Sequence, residues 1–381
     1  MNNHYCWLMA LLLATVFFGC SQKQPEHDTR TPRRGFWLTN VDSDALFSRK
    51  GLEQVVTNCE TYGFNTIYIV TWNRGYTLYP SPIMEREFGE AIDPKLRGRD
   101  PLQELIDLAH PKGIEVIAWF EFGFAASYNE TDGGRLLRAR PHWAARDAAG
   151  NIATKNGFQW MNAFDPEVQS FIKSLVLEVV ERYDVDGIQG DDRLPALPSL
   201  AGYDSLTRAH YQSEHDGAWP PGNPKDTAWV EWRAGILNAF MSDLCTTLDS
   251  VAPKLTRSFS PSIYPWSKFE YLQDWPTWVA NGWVDEICPQ IYRYDFPAYQ
   301  SALRAIVDEQ VAPEQHHRLA PGILLNVGDY LASDTLLHKM VAANRAAGID
   351  GEVFFFYEGI MRRPDFFAAY AKNQLELSEK K

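Results

Sequence analysis

The chain has 381 residues and is 45% hydrophobic, room for one large globular domain or two ordinary ones. Its formal net charge of -13 argues against nucleic acid, because a phosphate backbone needs a basic face, and disfavours adsorption to anionic lipid. The five cysteines form no CxxC pair, so neither a zinc knuckle nor a thioredoxin-type site is indicated. Most of the 13 Trp, 17 Tyr and 21 Phe must fill the core, but aromatic faces also stack on the C–H faces of sugar rings.

The N-terminus reads as a leader. Trp7 to Gly19 is an apolar run too short for a stable membrane span, and it fits the hydrophobic region of a secretory signal. It runs into Phe17-Phe-Gly-Cys-Ser21, which resembles a bacterial lipobox with Cys20 as the lipidated residue. The expected division is a lipoprotein signal peptide over 1–20, a polar flexible tether over 21–33, and one domain over 34–381. The expected location is the cell envelope, as an outer-membrane lipoprotein facing the periplasm and holding the membrane only through its lipid.

From residue 34 onward, strand-like runs alternate with helical ones, the pattern of parallel βα units. Residues 35–40 are the first strand. Leu52, Val55, Val56 and Cys59 then mark a helix closed by Gly63. Residues 66–71 are the second strand, with Trp72 and Asn73 at its tip. Asp100-Pro101 starts the next helix. Residues 114–121 form the third strand and end in Glu121. A long loop follows, through Trp143 and Asn162, and Asp165-Pro166 caps another helix. After the fourth strand, residues 193–226 form a second long loop with a short helix near 204–215. A long helix covers about 227–250. Residues 255–261, 284–292, 319–325 and 351–358 are the remaining strands, and about 363–378 is a closing helix. Eight strands and no second core predict an α/β fold, a single (β/α)8 TIM barrel with long βα loops after strands 3 and 4.

The stretch that organises the site is Val185-Asp-Gly-Ile-Gln-Gly-Asp-Asp192, the fourth strand. It is a buried strand delivering two adjacent carboxylates to its C-terminal tip, where such barrels keep their chemistry. Glu121 and Glu358 end two other strands. Acetal cleavage needs a proton for the leaving oxygen and negative charge near the developing oxocarbenium ion, and two carboxylates of different pKa supply both. The expected catalytic set is Glu121 as general acid, Asp192 as nucleophile or charge stabiliser, and Asp191 to orient the pair. These roles are interchangeable on the sequence alone. A 2-acetamido group on the substrate could itself be the nucleophile. The expected substrate contacts are Trp37, Asn40, Trp72, Asn73, Asn162, Gln189, Tyr264, Gln290, Tyr292, Asn326, Tyr357 and Glu358. No HExxH, GxSxG or Gly-rich phosphate loop is present, and neither metal nor cofactor is expected.

Five blocks carry a resemblance: Trp119-Phe-Glu-Phe-Gly-Phe124, residues 160–169, Arg182-Tyr-Asp-Val-Asp-Gly-Ile-Gln-Gly-Asp-Asp192, residues 271–278 and Phe354-Phe-Phe-Tyr-Glu358. From about Arg34 to Ile360 the chain resembles the bacterial glycoside-hydrolase-like lipoproteins of the family-ten type. The resemblance implies a TIM-barrel hydrolase. It also implies, as for some members, peptidoglycan glycan strands lacking stem peptides as the substrate. Asp191 and Asp192 match the family's paired acids, and Glu121 the third-strand acid of one subgroup. Where members often carry an aromatic residue or His after the pair, this chain has Arg193. The rival readings are a non-catalytic glycan-binding lipoprotein on a retired barrel, and an acid-rich metal hydrolase of amide or ester bonds.

Overall fold

The computed structural model describes residues 31–372. The expected signal peptide, with Cys20, and most of the tether lie outside the described residues, as does the end of the expected closing helix.

Eight parallel strands form the barrel. They are β1 (Arg34–Leu38), β2 (Thr66–Val70), β3 (Glu115–Phe120), β4 (Gly187–Gly190), β5 (Thr256–Phe259), β6, β7 (Gly322–Leu324) and β8 (Glu352–Phe355). Strand β6 has two pieces, Glu286–Ile287 and Gln290–Ile291, broken where Pro289 offers no N–H. Its first piece pairs with β5 and its second with β7, and β1 pairs with both β2 and β8, so the ring closes. Across the break, Cys288 N–H donates to the Phe259 carbonyl at 2.7 Å and Gly322 N–H to the Pro289 carbonyl at 2.9 Å. This is the (β/α)8 barrel that the alternating pattern predicts.

The outer helices start where the sequence signals them. The side chains of Ser48, Asp100, Asp165 and Ser333 each accept a first-turn N–H, of Gly51, Gln103, Glu167 and Leu336. Gly63 ends the first helix at φ 69°, a left-handed conformation that a Cβ would strain. Cys59, Cys245 and Cys288 are buried free thiols.

The long loop after β3 has structure that periodicity did not reveal. Ala125–Tyr128, Phe158–Trp160 and Thr154–Lys155 form a small antiparallel sheet over the barrel mouth. Strands this short leave too few residues for a period to register.

Inside the barrel a polar layer supports the site. Trp37 Nε1 donates to Gln189 Oε1 at 2.6 Å, and Gln189 Nε2 donates to Ser258 Oγ at 2.9 Å. Ser258 and Tyr68 both donate to Glu286 Oε1, at 2.7 and 2.5 Å. Arg33, assigned to the tether by sequence, closes the layer by pairing with Glu286 Oε2 at 2.5 Å. Burial alone would raise the Glu286 carboxyl, but the Arg33 charge and the two hydroxyl donors outweigh it and hold it below the usual range.

Candidate active site

Glu121 follows β3 directly, and Asp191 and Asp192 follow β4, its neighbour in the ring. Adjacent strand ends therefore bring all three acids together, with Arg193 among them. Arg193 Nη2 lies 2.7 Å from Asp191 Oδ2 and 3.7 Å from Glu121 Oε1, and Nη1 lies 2.8 Å from Asp192 Oδ1. Its Nε donates to the Glu121 carbonyl at 2.9 Å, and its guanidinium stacks 4.7 Å above Phe158. Gly123 makes room for this arrangement: a Cβ there would meet the Arg193 carbonyl at 2.1 Å. That glycine's φ of +48° also lies in the left-handed region.

The two aspartates have different surroundings. Asp191 is 3% exposed and accepts from Ser260 at 3.1 Å and from Gln290 Nε2 at 2.6 Å, besides its bond from Arg193. Burial and then the Asp192 charge push its carboxyl well above the ordinary value, against the pull of Arg193. Asp192 is more open, its side chain 23% exposed. Its Oδ2 has one long bond, from Ser262 at 3.5 Å. Its Oδ1 faces Arg193 off the hydrogen-bonding direction and has no hydrogen-bond partner among the described residues. Glu121 accepts from Asn73 Nδ2 at 2.5 Å. Burial raises its carboxyl, with Arg193 and Asn73 opposing.

Part of the unmet hydrogen-bonding capacity lies on this face. Among the described residues, Asn40 Oδ1, Asn73 Oδ1, Trp119 Nε1, Asp192 Oδ1 and Asn326 Oδ1 are buried atoms without a hydrogen-bond partner, although Asp192 Oδ1 has the Arg193 charge 2.8 Å away. They sit at or just past the C-terminal ends of five of the eight strands. A buried polar atom left unpaired costs about 1–3 kcal/mol, and a hydroxyl-rich ligand would relieve several of them together.

The residues expected from sequence divide into groups. Asn73, Gln290 and Tyr292 stand with the acids. Burial, followed by the charges of Asp191 and Asp192, raises the Tyr292 phenol. Asn40, Tyr357 and Glu358 line a cleft of about 740 Å³ beside β1 and β8, where Ser43 donates to Glu358 Oε1 at 2.6 Å. Tyr264 lines a cavity of about 330 Å³ with Arg293. Asn326 is buried with its Oδ1 unpaired.

Four residues take supporting positions instead of contacting ones. Trp37 and Gln189 bond each other inside the barrel, 1% and 0% exposed. Trp72 is buried against Phe171, with its Nε1 spent on the Gly123 carbonyl. Asn162 folds its own loop, accepting from Phe164 N–H and donating to Thr207. A strand-end position alone does not tell an inward side chain from one reaching the mouth. Arg193, Ser260 and Gln273, whose Nε2 donates to the Asp191 carbonyl at 3.1 Å, were not in the expected set. A basic residue directly after two acids was the available sign for Arg193, because a buried acid pair needs a counter-charge.

Comparison with known proteins places the chain in a family. The profile of the family described as Glycosyl hydrolase-like 10 matches residues 32–324. Glycosyl hydrolase DigH of Escherichia coli strain K12 is 26% identical over 313 residues, covering 72% of this chain and 67% of that protein. Glycosyl hydrolase YngK of Bacillus subtilis is 24% identical over 289 residues, covering 68% of this chain and 54% of that one. Among solved structures, the PgaB (BpsB) glycoside hydrolase domain of Bordetella bronchiseptica shares the fold, with a TM-score of 0.68 at 14% identity. That likeness covers 92% of this chain and all of the domain. The chain thus belongs to the glycosyl hydrolase-like 10 family and is a glycosidase acting on a glycan.

Proposed function

We propose that this glycosidase cuts the glycan strands of peptidoglycan, with Glu121 as proton donor and Asp192 facing the anomeric carbon. The observation that carries the assignment is the contrast between neighbouring aspartates. Asp191 is saturated by Ser260, Gln290 and Arg193, whereas Asp192 Oδ1 has no hydrogen bond among the described residues. A carboxylate bonded on every side holds its surroundings in place, whereas Asp192, with the Arg193 charge at 2.8 Å, one long bond from Ser262 and a more open side chain, keeps capacity for a substrate. Burial keeps Glu121 protonated further up the pH scale than an ordinary carboxyl, as a general acid requires.

In this scheme the Glu121 proton passes to the glycosidic oxygen as the C–O bond breaks. The leaving sugar departs with a hydroxyl, and Asp192 stabilises or captures the oxocarbenium carbon. Water completes the reaction, its hydroxyl going to that carbon and its proton back to a carboxylate. Arg193 sets a positive charge between the two adjacent acids, 2.7 Å from Asp191 Oδ2 and 2.8 Å from Asp192 Oδ1. The resemblance of the five motif blocks to a family some of whose members are read as acting on denuded peptidoglycan supports the substrate. The apolar run ending at Cys20 supports a lipid-anchored protein of the outer membrane facing the periplasm.

Zymography on murein tests the assignment. Wild-type protein should clear the gel, while Asp192→Asn and Glu121→Gln should each lose at least about a hundredfold. Full clearing by both variants would remove the assignment. Mass spectrometry of sugars released from denuded sacculi tests the substrate, and intact sacculi after incubation would reject it.

A further inference from the structure

Large apolar side chains left open to solvent are unevenly placed on this barrel. Among the described residues, Tyr128, Trp219, Trp266 and Tyr294 are the exposed aromatics, at 39%, 69%, 45% and 64%, and all four lie in the connections that lead from a barrel strand's C-terminal end to the next outer helix. An aromatic ring held open forgoes much of the free energy that burying it would provide. Random exposure would not favour the face that carries the acids.

Trp266 has the firmest connection to those acids. Its ring lies 5.3 Å from that of Tyr271, and the Lys155 ammonium sits 4.5 Å from the Tyr271 ring and 6.0 Å from the Trp266 ring. Lys155 is fixed in turn by Glu270. Tyr271 accepts from Asn156 at 2.8 Å, and the Asp192 charge adds to the burial that raises its phenol. A continuous set of contacts therefore runs from Arg193, which stacks on Phe158, through Phe158's strand partner Lys155 and Tyr271 to Trp266. The tryptophan is braced from behind and open in front.

We propose that Trp266 is a stacking platform for a sugar unit beyond the bond being cut, so that the enzyme grips a chain of several units and not only a terminal pair. The aromatic face carries partial negative charge and meets the C–H face of a pyranose, while the sugar's hydroxyls stay in water. This rests on glycan hydrolysis, and not on peptidoglycan being the glycan.

Native gels cast with a soluble polysaccharide test it, using the Asp192→Asn protein so that the gel is not digested. Three polymers serve: murein strands freed of peptides by an amidase, glycol chitin, and hydroxyethyl cellulose. At least one gel should retard the parent. Adding Trp266→Ala should weaken that retention about tenfold, and Trp266→Phe should keep it within about threefold. In the cleaving enzyme, Trp266→Ala should raise KM for long chains and leave kcat within about twofold. Equal retention with and without Trp266, no retention of the parent in any gel, or a loss confined to kcat would overturn the platform. Retention only by glycol chitin or cellulose, lost with Trp266→Ala, would uphold the platform and refute peptidoglycan.

Discussion

Nη2 of Arg193 lies 2.7 Å from Oδ2 of Asp191, two residues away in the chain and both nearly closed to solvent. The same guanidinium reaches Asp192, so one cation answers two consecutive carboxylates. Removing one partner of a buried ion pair leaves an uncompensated charge, typically at about 3–5 kcal/mol. Arg193→Met should therefore lower unfolding stability by about that much and misplace Asp192, with about a hundredfold loss of hydrolysis. Arg193→Lys keeps the charge but not the fork, and should recover stability better than rate. Denaturant titration and murein zymography check both. An Arg193→Met enzyme of normal rate would show that the cation does not position the acids.

The pH dependence follows from Glu121. Its carboxyl is raised, by burial first, so the alkaline limb of kcat/KM should lie above the ordinary carboxylate range. Asn73 donates to the charged form and opposes that rise. Asn73→Ala should therefore move the limb to still higher pH, and a limb moving down would contradict the assignment of Glu121 as the proton donor.

The same shift makes a stability prediction of definite sign. A carboxyl whose folded pKa is raised contributes stability that is whole below its unfolded pKa and is lost as pH rises through the folded value. Glu121→Gln removes that penalty. It should melt higher than wild type at neutral and alkaline pH, with no gain in acid, while losing activity. Thermal melts across pH would show it, and a gain at acid pH alone would refute it.

Much of the barrel is legible in the sequence because each βα unit announces itself locally. Asp100-Pro101 and Asp165-Pro166 start helices, Gly63 stops one, and apolar runs end in Glu121 and in Asp191-Asp192. The split of β6 was not legible in advance, although Pro289 is visible, because which strand each half joins depends on ring closure. The site was harder to read than the fold. Glu121, Asn73 and Gln290 lie 48 and 99 positions from the groups they bond, Asn73 from Glu121 and Gln290 from Asp191. Trp37 looked like a contact because a strand-end aromatic suits one, yet its indole serves Gln189 beneath the floor.

That floor should set the acid limit of the fold. Glu286 is held below the usual carboxylate range, so its contribution is present above the unfolded pKa, about 4.3, and is lost as pH falls through the folded value. Glu286→Gln should flatten the acid side of the stability profile and lower stability at neutral pH, where Arg33 would lose its main charge partner. Urea titrations at stepped pH measure this. An unchanged acid slope would place the sensitivity in other carboxylates.

The loop after β4 is held by an unusual device, and its failure should be visible. Arg233 is fully buried on the long helix Thr227–Val251, and its bonds go to backbone carbonyls: Ser199 at 2.5 Å, Ala201 at 2.6 Å, Pro224 at 2.5 Å and Trp229 at 3.1 Å. Its guanidinium also lies 4.3 Å over the Trp229 ring. Three of those carbonyls belong to residues 193–226, whose first member, Arg193, donates to the Glu121 carbonyl. Arg233→Met would leave several buried carbonyls unpaired, at about 1–3 kcal/mol each. The expected result is a loss of at least about 3 kcal/mol, or failure to fold. Arg233→Lys, with a single ammonium in place of a fork, should fold and meet only some of the carbonyls. Limited proteolysis of that variant should open new cuts between 199 and 224, together with a raised KM, because the wall of the site loosens while the acids stay in place. A cleavage pattern and KM equal to wild type would mean that packing alone holds the loop.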